Sequence, residues 1–201
     1  MAWIQTISYN QADNKLKEIY DRVKGSDNII DNVLSIHSLR PHTLTGHMTL
    51  YKSVLHNCNN TLPKWYLEAI GIYVSTLNNC EYCVLHHKEG LRRLLKDNEK
   101  YRSIINAIKN DLLSSFLENG FLSGMNYAKN LTLAADSISE HDILELKNAG
   151  LSDGQILEIN QVSSYFNYVN RTVLGLGVSA KGDILGLSPN DSKDPGNWNH
   201  N

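Results

Sequence analysis

Two of the three cysteines in this 201-residue chain stand in the octapeptide Cys80-Glu81-Tyr82-Cys83-Val84-Leu85-His86-His87. On a helix Cys83 is three residues past Cys80 and His87 four past Cys83, so the three side chains fall on one stripe. Two thiols and an imidazole on one face are a redox arrangement. One sulfur can attack an oxidant, the second can close a disulfide onto it, and the imidazole can take or return the proton. Asn79 precedes the pair as a candidate N-cap, which puts Cys80 in the first helical turn, where free amides and the helix dipole favour thiolate.

Two other chemistries fit the same residues. Cysteine is often buried as a small apolar side chain, so the pair could be plain core. Cys58, Cys80, Cys83 and His87 could also supply a Cys₃His zinc set, although no second CxxC and no HxxxH completes it. His86 lies about 100° around the helix from His87 and is expected on a flank. His37, His42 and His47 are five residues apart, which is neither helix-face nor metal-ligand spacing.

These side chains need helices to hold them, and helical periodicity runs through most of the chain. Leu16, Ile19, Tyr20 and Val23 mark a helix over 10–24, a short segment covers 33–39, and Leu44, Met48, Tyr51 and Leu55 mark one over 43–55. Pro63 suits the first turn of the next helix, and Gly90 comes near the end of the cysteine helix. Further helices are expected over 99–111, 120–134, 139–148 and 152–175. Ser139 with Asp142 forms a capping box for one of them, and Gly150 a C-cap. No alternating strand emerges, so the fold class is all-α. A shift of 90 residues lays Leu67-Glu68 over Leu157-Glu158 and Cys80 over Asn170, as a duplicated helical unit would. Residues 1–178 form a single helical domain in this reading. Residues 179–201, rich in Gly, Pro, Asn and Asp, form an extended tail that Trp198 should dock.

A net charge of −2 and no basic run argue against nucleic acid. No leader pattern opens the chain and no 18 consecutive apolar residues occur, so a soluble, cytoplasmic protein without membrane contact is expected. A close thiol pair suits a reducing compartment.

The motif resembles that of the alkylhydroperoxidase D-like family, also called the carboxymuconolactone decarboxylase family, in its peroxidase-related branch. The mark is a Glu followed twelve residues later by Cys-x-x-Cys-x-x-x-His, matched by Glu68, Cys80, Cys83 and His87. The run from Leu67 to Asn79, the stretch Phe166-Asn167-Tyr168-Val169-Asn170-Arg171 and the following Leu176-Gly177-Val178 are similar as well. One departure is Tyr82, where peroxidase members often carry His. The resemblance implies a thiol-dependent peroxidase that needs no bound cofactor. Cys83 would be the peroxidatic thiol and Cys80 its resolving partner. His87, supported by Glu68, would move the proton, and an external lipoyl or thioredoxin-like dithiol would reduce the disulfide. It further implies a homo-oligomer. A lactone decarboxylase and a redox sensor that oxidises once are the alternatives.

For Glu68 to join this site the chain must fold sharply. On one straight helix twelve residues would separate it from Cys80 by ~18 Å of rise. Asn78-Asn79, two residues that favour caps and turns, offer the break. Asn167, Asn170 and Arg171 share one long helix and would either line the site or satisfy a helix end. The latter is the expectation here.

Overall fold

The computed structural model describes residues 2–200, and among them the only regular elements are helices. In chain order these are α1 (Asn14–Asp21), α2 (Asn32–Ser35), α3 (Pro41–Leu55), α4 (Lys64–Leu77), α5 (Glu81–Leu95), α6 (Asn98–Lys109), α7 (Asn119–Leu133), α8 (Glu140–Asn148) and α9 (Asp153–Gly175). The all-α expectation therefore holds, with boundaries near those read from periodicity. Pro41 opens α3 at N1, two residues before the expected start, and its missing N–H costs nothing there.

The centre of the fold is α4, whose residues from Tyr66 to Ser75 are all buried. Such a helix needs neighbours on every side, and α5, α7 and α9 provide them. Its contact with α9 is close: a Cβ at Gly71 would overlap the Phe166 ring, so the small residue lets the two backbones approach. A second, smaller apolar cluster joins Leu16, Tyr20, Leu44 and Met48 to Trp198 from the far end of the chain.

The α4–α5 break is a turn with a defined bond pattern. Asn79 is left-handed at φ 56. Its N–H donates to Thr76 O and the N–H of Cys80 to Ser75 O, at 3.1 and 2.9 Å. This is a Schellman C-cap, which Asn fills because it tolerates the left-handed region better than most residues. The expectation of Asn79 as N-cap is thus corrected: it ends α4, and Cys80 itself occupies the N-cap of α5.

The segment after α9 is an arm laid back over the body. The Trp198 ring is 1% exposed, with the Arg22 guanidinium 3.6 Å from its centroid and its indole N–H donating to Pro195 O. Lys52 donates to Asn190 O, and His200 bonds the carbonyls of Ser188 and Val23. No described helix is long and apolar enough to cross a membrane.

Candidate active site

The α4–α5 hairpin carries Glu68 back to the cysteine helix. Its carboxylate is 3% exposed, and Oε2 lies 2.8 Å from His87 Nδ1. On the other side Oε1 is 4.0 Å from Nε2 of the buried His56. Burial pushes His56 well below the usual imidazole range, with the nearby Lys64, His87 and Lys52 charges adding to it, so this ring stays neutral.

Cys80 and Cys83 are both buried free thiols, with sulfurs 3.0 Å apart. That is a hydrogen-bonded dithiol, longer than the ~2.05 Å of a disulfide. The hydrogen bond lowers the Cys80 pKa and raises that of Cys83. Burial works against Cys80's lowering and adds to Cys83's rise. The Cys83 backbone amide and the Asn170 amide further favour the Cys80 thiolate. On first ionisation the pair shares one proton, which rests on Cys83.

The two sulfurs border different spaces. Cys83 faces a small cavity of about 60 Å³, together with Glu68 and His87. Its far wall is aromatic: Tyr51 and Tyr165 stack with centroids 5.5 Å apart, and His47 sits 5.9 Å from Tyr165. Cys80 borders a more open cleft of about 300 Å³ lined by Glu81, Lys88, Ile105, Ile108 and Lys109. Cys58 is exposed and lines neither space.

Three site features escaped the sequence reading. His86, expected on a flank, is buried and lines the Cys83 cavity. Its Nε2 is 3.3 Å from Asp183 Oδ2, and its ring stacks on Tyr82 at 4.5 Å. His47, dismissed on spacing, is buried in the same wall, and burial drops its pKa to about 3, so it too is neutral. Asn170 does not serve its own helix end. It is fully buried, donates to Ser75 Oγ and accepts from Asn78 Nδ2, each at 3.0 Å, while Asn78 also donates to Asn167. The two amides clamp the turn that presents Cys80. The available signal was the shared face of Asn167 and Asn170 beside the apolar Phe166 and Val169.

Comparison with known proteins adds the fold. No protein-family profile and no curated protein sequence matches the chain. Among solved structures, the alkylhydroperoxidase AhpD core from Ralstonia eutropha JMP134, an uncharacterized peroxidase-related protein, is 18% identical with a TM-score of 0.77. The match covers 90% of this chain and 93% of that one. This is the alkylhydroperoxidase D-like fold. A peroxidase-related protein from Silicibacter sp. TM1040, also uncharacterized, is 20% identical over the same shares with the same TM-score. The debrominase Bmp8, solved with 2,3,4-tribromopyrrole, is 15% identical at TM-score 0.67 over 84% of this chain and 87% of its own. The fold thus hosts more than one chemistry, and function rests on the site's own residues.

Proposed function

We propose that this chain is a thiol-dependent peroxidase that reduces hydroperoxides through Cys80 and Cys83. The observation that carries this reading is the meeting of Cys83, His87 and Glu68 around one small cavity, with a second thiol 3.0 Å behind the first. The resting pair favours thiolate on Cys80, but the sulfur that a molecule in the cavity meets is Cys83. A proton hop across the short S···S contact exchanges the two states. The Cys83 thiolate then attacks the terminal peroxide oxygen, the O–O bond breaks, and Cys83 becomes a sulfenic acid. His87, oriented by Glu68, gives the departing alkoxide or hydroxide its proton. Cys80 attacks the sulfenic sulfur, water leaves, and a Cys80–Cys83 disulfide forms. An external dithiol, lipoyl or thioredoxin-like, attacks this disulfide from the open cleft beside Cys80. It leaves oxidised, and both thiols are restored.

Steady-state peroxide consumption with a lipoyl dithiol tests the cycle, and a sensor would consume one equivalent and stop. Intact mass after one equivalent of peroxide tests the roles. Cys80→Ser should gain one oxygen or a mixed disulfide, and Cys83→Ser should stay unmodified. The opposite pattern would assign the attack to Cys80.

A further inference from the structure

We propose that the C-terminal arm, through Gly186 and Leu187, is the size filter of the Cys83 cavity and confines it to compact hydroperoxides: hydrogen peroxide or hydroperoxides of one or two carbons. This rests on the thiol-peroxidase reading and goes beyond it in naming the substrate class and the residues that set it.

The arm stands where two spaces meet. Glu68, Gly90, Gly186, Leu187, Ser188 and His200 border both the inner cavity and an outer cleft. The inner space is about 60 Å³ and the outer about 350 Å³. A water-sized group needs about 10–15 Å³ of such space, so the inner space holds roughly four to six of them. The remaining walls cannot yield much, because Tyr51, Tyr165 and Met48 belong to packed helices.

What lets the arm lie close is the approach of two glycines. Gly186 has φ 76, and a Cβ there would meet Glu89 Cγ at 2.9 Å and Gly90 N at 3.0 Å. A Cβ on Gly90 would in turn stand 3.9 Å from both Glu68 carboxylate oxygens. The arm backbone therefore lies flush on the α5 turn beside the Glu68–His87 pair, and a side chain at 186 would both strain the backbone and lift the arm. On either side the arm is pinned. Asp183, its side chain 2% exposed, accepts from the Tyr82 hydroxyl at 2.6 Å and from Asn32 N at 3.0 Å. His200 and Trp198 hold the distal end.

Two variants test the filter from different directions. Gly186→Ala lifts the arm, whereas Leu187→Ala trims the arm and leaves its backbone in place. The readout is kcat/KM for cumene hydroperoxide divided by kcat/KM for hydrogen peroxide. We expect wild type to favour hydrogen peroxide and each variant to raise the ratio by about tenfold or more, since a pocket discriminates by ~10-fold or more per methylene it refuses. A second readout does not depend on turnover: the rate of Cys83 alkylation, located by peptide mass, with iodoacetamide and with a fluorescein maleimide. The variants should speed the bulky reagent relative to the small one. Absence of peroxide turnover in wild type would overturn the peroxidase reading, and with it the substrate class, while the alkylation ratio would still judge the filter. Unchanged ratios in both variants, or a wild type that handles cumene hydroperoxide as readily as hydrogen peroxide, would overturn the arm's role.

Discussion

Replacing Glu68 by Gln keeps the side chain's shape and removes its charge, at a position where the charge has one close partner. The carboxylate is buried and lies 2.8 Å from His87 Nδ1. The next nearest imidazole, His56, stands at 4.0 Å and is kept neutral by burial. A hydrogen bond to a charged group contributes about 1.5–3 kcal/mol, and every 1.36 kcal/mol of transition-state stabilisation is tenfold in rate. If the full amount acts as His87 moves its proton, peroxide turnover should fall by roughly 10- to 150-fold, the upper end of which reaches the ~10²-fold floor usual for general acid–base catalysis. The assay is peroxide decay with excess dithiol, run beside the pH dependence of Cys83 alkylation and a urea denaturation curve. Folding stability should change little, because the Gln amide oxygen can still accept the hydrogen bond of a neutral His87 ring. Turnover and alkylation profile both unchanged would take Glu68 out of the chemistry. A large loss of stability with an unchanged profile would make it a packing element.

Two further outcomes follow from other buried groups. Asn170→Ala leaves Ser75 Oγ and the Asn78 amide short of a partner, so it should cost about 1–3 kcal/mol of stability in urea. It should also move thiolate formation, followed by ultraviolet absorbance, to higher pH, since Asn170 lowers the Cys80 pKa, and an unmoved titration would separate the clamp from the thiols. Asp31 has its carboxyl raised from 3.8 to about 6, chiefly by burial. The folded state then binds the proton more tightly, so this contribution to stability is present at low pH and lost as pH rises to about 6, an effect of up to ~3 kcal/mol. Asp31→Asn should therefore gain on wild type at about pH 7 and not at about pH 4, and an equal offset at both would sink the assignment.

What could be read from the sequence was whatever a single helix face or a short break encodes. The stripe of Cys80, Cys83 and His87 is a local property of α5, and the sharp turn needed to return Glu68 follows from two Asn residues in a row. The cap assignment failed because Asn is favoured both as an N-cap and as a left-handed C-cap, and only the bond from Cys80 N to Ser75 O decides between them. His86 was misplaced for a different reason. It does sit off the His87 stripe, but the arm brings Asp183 to that side from nearly a hundred residues away, and spacing along one helix carries no information about such a partner. His47 likewise gains its place from Tyr165 on α9. The arm, with no periodicity, offered Trp198 as its one cue for docking.

Tyr82 ties these threads together. In the family this motif resembles, peroxidase members often carry His at this position, next to the second Cys. Here the phenol hydroxyl donates to Asp183 Oδ2 at 2.6 Å and accepts from Val33 N at 3.1 Å. Burial, with the Asp183 charge and hydrogen bond adding to it, pushes Tyr82 well above the usual phenol range. A group so held does not exchange protons near neutral pH, so Tyr82 is no substitute for the relay His of those members. What the Tyr supplies instead is attachment. Its hydroxyl joins the cysteine helix to the arm just before Gly186, at the point where the arm turns to cover the cavity. A position that elsewhere could serve a relay here helps to hold the arm over the site.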